Sequence, residues 1–223
     1  MKIHINEKDL RAYLKRKRFP ESIFNEITAL DRGDEKVRLA DVNPGEFFYF
    51  GGYDWVKLDT LSDLTGIETS LCLTKGIVRE KAFDEGNCND WRKSTLRKWL
   101  NDDGSDSNDG FLYQLIENEG KGATLYKITS DLTADDGMRD YGFSEDYIAL
   151  LSCDLYRKYR DVIPPVDDWY WTLTPWTCSA GNSISVRVVY SDGALSHYSA
   201  YYGNRGLRPL CNLSSEIFVS VID

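Results

Sequence analysis

Between Asp167 and Leu210 the chain places Trp169, Trp171 and Trp176 in one short run, then alternates Ser185, Val186, Arg187, Val188, Val189 and Tyr190 into a turn at Ser191-Asp192-Gly193. Period-two alternation that ends on a Ser/Asp/Gly cluster is the signature of a β-hairpin. The segment after the turn, Ala194 to Gly206, is rich in Tyr, Ser, His and Asn and runs into Gly206-Leu207-Arg208-Pro209. Small hydroxyls beside tyrosine rings make adaptable contact surface at low entropic cost. This stretch predicts strands that carry a binding surface.

With 223 residues, 42% hydrophobic and 13% aromatic, the chain can bury a core of one large domain, or of one domain with a small appendage, and global disorder is not expected. No apolar run is long enough to span a bilayer, and Met1 to Glu7 lacks the apolar stretch of a signal peptide, so a cytoplasmic protein is expected. The five cysteines, Cys72, Cys88, Cys153, Cys178 and Cys211, are odd in number and scattered, and only two histidines accompany them. That pattern points to buried free thiols, with neither a disulfide framework nor a metal site, and no cofactor is expected. Residues 1 to 38 hold ten Lys/Arg against seven Asp/Glu, a balance of +3, which leaves −12 for the remainder of a chain whose net charge is −9. An acidic body of that size repels phosphates and disfavours general nucleic-acid binding.

The spacing of Leu10, Tyr13 and Leu14 predicts a helix from Asn6 or Glu7 to Arg18, which Pro20 ends. A second helix is predicted from Glu21 to Leu30. These define a helical N-terminal segment, 1–40, ahead of a main domain, 41–223. The basic run Lys15, Arg16, Lys17 and Arg18 is a candidate contact for nucleic acid or an acidic partner, set against the reading of a solvated helix face. Glu46 to Leu58, around Gly51-Gly52, reads as a β-hairpin, and Leu71 to Val78 as a third strand. Asn89 to Asn101 reads as one helix with Trp91, Thr95, Leu96, Trp99 and Leu100 on one side, capped by Asn89 or Asp90. Asp102 to Gly110 is acidic and turn-rich, but lacks the ligand spacing and terminal Glu of a calcium loop. A short helix from Phe111 to Glu117, a strand near Ala123 to Ile128, a buried strand from Tyr147 to Ser152 and a helix from Asp154 to Arg160 complete the order.

Several motifs in this order resemble a domain-of-unknown-function family found in gut bacteria and their phages and related in fold to C-type lectins, formylglycine-generating oxidases and phage tropism determinants. Pro44-Gly45 stands at its opening. Trp91-Arg92-Lys93-Ser94-Thr95-Leu96-Arg97-Lys98-Trp99-Leu100-Asn101 resembles its W-x-x-S-x-L-R-x-W-L-N helix, Ile148-Ala149-Leu150-Leu151-Ser152 its F/I-L-L-S strand, and Gly206-Leu207-Arg208-Pro209-Leu210 its closing motif. The resemblance covers about residues 43 to 215. Thr172, Thr174 and Leu210 depart from the usual Arg, Ser and Ala. It implies an α+β fold: a C-type lectin-like, mainly antiparallel core with flanking helices, preceded by the helical segment. It also implies a binding surface just before the C-terminal strands. The calcium-site motifs of sugar-binding lectins do not occur, and Cys153, Cys178 and Cys211 do not match the oxidase metal site.

The expected function is that of a non-catalytic protein-binding module of phage or mobile-element association. It would present Trp169, Tyr170, Trp176, His197, Tyr198, Tyr201, Tyr202, Asn204 and Arg205 to a protein partner, since aromatic residues and Arg dominate binding hot spots. A second reading, motivated by the acidic body, is a phage-encoded inhibitor of a bacterial defence system, anti-CRISPR-like, acting by protein binding or nucleic-acid mimicry. A third, an enzyme of the lectin-fold oxidase type, rests only on His4, His197 and Cys153, none beside a recognisable catalytic motif. No catalytic residue is assigned. The adjacent Asp167 and Asp168 point to opposite faces of an extended run and read as turn caps.

Overall fold

The computed structural model describes residues 12–13, 15–17, 36–119 and 125–222. Eight strands form the larger sheet in the order β1 (Lys36–Arg38), β15 (Phe218–Ile222), β2 (Phe47–Phe50), β3 (Tyr53–Ser62), β4 (Glu68–Thr74), β14 (Leu210–Ser214) and β6 (Leu125–Tyr126), with β9 (Ile148–Ala149) also paired to β14. All of these pairings are antiparallel. A second sheet has the order β12 (Leu195–Ser199), β11 (Ser185–Val189), β10 (Tyr170–Pro175), β13 (Gly206–Leu207) and β5 (Arg79–Glu80), in which β10 and β13 run parallel. β7 (Ile128–Asp131) and β8 (Phe143–Asp146) form a separate pair.

Strands account for 35% of the structure and helices for 16%, with three α-helices between residues 36 and 222: α1 (Thr95–Leu100), α2 (Phe111–Glu119) and α3 (Cys153–Lys158). The α+β expectation, with helices flanking a lectin-like core, is therefore corrected to a mostly β architecture of curled antiparallel sheets. One physical reason is visible in the predicted 89–101 helix. Ser94 sits in extended backbone, φ −64° and ψ 143°, and its hydroxyl accepts from Arg97 N, so it ends a 3-10 turn over Trp91–Lys93 and starts a six-residue α1. The apolar spacing is right, and a mid-run cap halves the helix. At the N-terminus, residues 12–13 and 15–16 are helical, and most of the expected helical pair lies outside the described residues. The larger sheet begins at Lys36, inside the segment expected to be helical.

Strand β10 has every residue buried because it separates two cores. Trp171 and Leu173 enter the larger cluster with Trp55, Trp91, Phe83 and Phe111, while Tyr170 enters a smaller one with Val56, Leu73, Tyr156 and Leu210. Each large side chain taken fully out of water there contributes roughly 1.5–3 kcal/mol. The helix motif locks this arrangement: Trp91 Nε1 and Arg97 Nε donate to opposite oxygens of the buried Asp146, at 2.9 and 2.7 Å. Among the described residues no helix is long and apolar enough to cross a membrane.

Candidate functional site

The second sheet ends in a loop between β12 and β13 that is held at nearly every residue. Ala200 N donates to Ile184 O, Asp84 N to Ala200 O, Tyr202 N to Ser199 O and Lys81 N to Arg205 O. Tyr201 N donates to the side chain of Asn87, a non-glycine residue at φ 58°. Asparagine tolerates that left-handed backbone, and the Glu-Gly-Asn sequence is the local signal for it. A loop fixed in this way has little backbone left to order when its side chains make contacts.

What it presents is a continuous chain of rings. Trp169 stacks on Tyr190 at 3.9 Å and meets Tyr198 edge-on at 5.8 Å. Tyr198 meets Tyr202 at 4.9 Å, and Tyr202 stacks on Tyr201 at 4.4 Å. The Arg205 guanidinium lies between two of these rings, 4.5 Å from the Trp169 centroid and 4.2 Å from that of Tyr198. Tyr201 and Tyr202 are 49% and 39% exposed, whereas Arg205 is 8% exposed. Asn204 is exposed, and its carbonyl accepts from Arg205 Nη1 at 2.8 Å.

Tyr190 also lines a cavity of about 160 Å³ bounded by Tyr156, Arg160, Pro165, Tyr170 and Asp192. Arg160 Nη1 and the Tyr156 hydroxyl both donate to Gly193 O, at 2.7 and 2.8 Å, which ties α3 to the β11–β12 turn. Burial pushes the Tyr170 phenol up to about 12, so it remains a neutral hydroxyl. Tyr190, Tyr156 and Arg160 were not among the residues singled out by sequence. Only the placement of Trp169 over Tyr190, set by the sheet, reveals them.

The predicted surface residues divide into three groups. Trp169, Tyr198, Tyr201, Tyr202, Asn204 and Arg205 come together. Trp176 and His197 stack in parallel, 4.4 Å apart and 6° from coplanar, but His197 registers with Arg187 and Tyr198 with Val186, so the two neighbours project from opposite faces of β12. Tyr170 is 3% exposed and faces the smaller core, with the Arg208 guanidinium 5.1 Å from its ring. Of the basic run, Lys15, Arg16 and Lys17 are exposed and far in sequence from this site, and Arg18 lies outside the described residues, as does His4.

Burial pushes the thiols of Cys72, Cys153, Cys178 and Cys211 up, so none of these four is an activated thiolate. The Asp102 carboxylate is consumed by its own loop, accepting from the backbone of Gly104, Asp106 and Ser107 and from the Ser107 hydroxyl. Among the described residues no group of three or more His, Cys, Asp or Glu side chains is placed to hold a metal ion.

Neither the curated proteins nor the solved structures contain a significant match to this chain. Residues 154–215, from α3 through β14 and including all nine residues of the predicted surface, match the family model described as a domain of unknown function, DUF6273.

Proposed function

We propose that the chain is a non-catalytic module that binds a polypeptide partner through the face formed by Trp169, Tyr198, Tyr201, Tyr202 and Arg205. The observation that carries this reading is the exposed Tyr201–Tyr202 stack, joined ring by ring to Trp169 and held on a loop whose backbone is already hydrogen-bonded. Two half-exposed tyrosines on a rigid support offer large amphipathic contact area at little entropic cost. Tyr, Trp and Arg are also the residues most enriched in binding hot spots. The net charge of −9 disfavours a phosphate backbone as the partner.

The test is capture from a host lysate by the full chain with a photo-crosslinking residue at Asn204, in wild type and in a Tyr201→Ser/Tyr202→Ser variant. A protein crosslinked by wild type and lost in the double variant is the expected result. Identical crosslinked proteins in both would remove this face as the binding surface.

A further inference from the structure

Two arginines three residues apart are both buried, and the structure treats them differently. Arg208, 1% exposed, makes four hydrogen bonds: Nε and Nη2 to Thr74 O, Nη2 to Lys75 O and Nη1 to Pro164 O. With four of its five N–H groups bonded to backbone carbonyls, it is a structural cation. Among the described residues Arg205, 8% exposed, donates only from Nη1 to the carbonyl of its own neighbour Asn204, and its buried Nε meets no partner. Among the described residues no carboxylate pairs with it. Its other contacts are the faces of Trp169 and Tyr198, which fix the guanidinium plane but satisfy none of its N–H groups.

A buried charge without a counter-charge or a full set of hydrogen bonds is costly to keep. In a chain carrying 36 Asp and Glu, a local carboxylate for it is an easy solution that this site does not use. Resting on the polypeptide-binding reading above, we infer that Arg205 is the receptor for a carboxylate of the bound polypeptide, clamped edge-on while Tyr201 and Tyr202 cover the adjoining residues. A planar guanidinium matches a planar carboxylate with parallel N–H donors, and hydrogen bonds of that kind are stronger than neutral ones. A single guanidinium in an acidic chain suits this monoanion better than a phosphate dianion, which would need further cations. The carboxylate can come from an Asp or Glu side chain or from a chain terminus.

Random peptide pools with a free or an amidated C-terminus, each with Asp and Glu allowed or replaced by Asn and Gln, distinguish these sources when passed over the immobilised full chain. Recovery is expected only from pools that contain a carboxylate. Recovery from the amidated Asp/Glu pool assigns the side chain, and recovery confined to free-acid pools assigns the terminus. Arg205→Gln is expected to weaken the best peptide by about tenfold or more. Should that variant fail to fold, comparing the best peptide with its amide or Gln isostere on the wild-type chain tests the same contact. An isostere that binds as tightly overturns the inference. Recovery from the amidated Asn/Gln pool that depends on Tyr201 and Tyr202 overturns the carboxylate and leaves the polypeptide-binding reading standing. No recovery from any pool overturns both.

Discussion

Asn101 holds Ile148 by both of its backbone groups: Oδ1 accepts from Ile148 N at 3.0 Å and from Tyr147 N at 3.1 Å, while Nδ2 donates to Ile148 O at 2.8 Å. One side chain at the end of α1 thus stands in for a strand partner of β9, which pairs with β14 on its other side. Asn101→Leu keeps the branched shape but leaves the partly buried N–H and C=O of Ile148 without this partner. Each such loss costs about 1–3 kcal/mol. A fall in the urea midpoint at an unchanged denaturant slope is the expected result, with Asn101→Asp, which keeps the acceptor, falling less. Equal stability of the Leu variant would show that water replaces the side chain.

That contact explains what was legible in the sequence and what was not. The motif from Trp91 to Asn101 could be read as a unit, but its residues serve the fold: Trp91 and Arg97 bind Asp146, Ser94 caps α1 and Asn101 secures β9. The hairpins β2–β3 and β11–β12 were visible because two-residue alternation and Gly or Asp-Gly turns are local signals. The pairing of β1 with β15, and of β10 with β13 in parallel, joins residues far apart in the chain and leaves no local trace. The site suffered likewise. Alternation shows that His197 and Tyr198 face apart, but not that Arg205 closes over Tyr198 or that Tyr170 lies inside the smaller core.

Acid is expected to destabilise the fold, in part through Asp90 and Asp59. Burial pushes the Asp90 carboxyl up, but the hydrogen bonds and charge of Arg92, at 2.9 and 3.0 Å, outweigh it and hold the group below the usual carboxylate value. At Asp59 burial is outweighed in the same way by the Tyr159 hydroxyl at 2.6 Å and by Lys158. A carboxyl with a depressed folded-state pKa contributes stability that is complete above its unfolded value, near about 4, and is lost as pH falls through the folded value. Denaturant titrations between about pH 7 and pH 3 should show stability falling below about pH 4, less steeply in Asp90→Asn. An unchanged acid slope in that variant would remove Asp90 from the account.

The two buried arginines should separate in stability as they do in bonding. Arg208→Met removes four hydrogen bonds from a site that is 1% exposed and is expected to cost several times the roughly 1 kcal/mol of a single bond. Arg205→Gln loses one bond and two cation–π contacts, about 1–3 kcal/mol in all, and relieves a buried charge in exchange. Thermal unfolding of the two variants beside wild type checks the order. A larger loss for Arg205→Gln than for Arg208→Met would mean that Arg205 is the structural cation.

Gly206 shows how the closing motif supports the proposed binding face. Its N–H donates to Trp169 O at 2.8 Å, and it pairs with Tyr170 on one side and Glu80 on the other. A Cβ added there would stand 2.5 Å from Ile77 Cδ1 and 2.7 Å from its Cγ1, so glycine is required for space. Gly206→Ala is therefore expected to cost about 1–3 kcal/mol through overpacking. Ile77 is only half-buried, so Ile77→Ala should cost less, and the double variant should recover part of the loss. Residues in contact couple in this way, and a double-mutant cycle measures the term directly. Because the clash pushes on the strand next to Trp169, partner binding should weaken in Gly206→Ala and return with Ile77→Ala. If the two costs simply add, Ile77 is not what confines position 206.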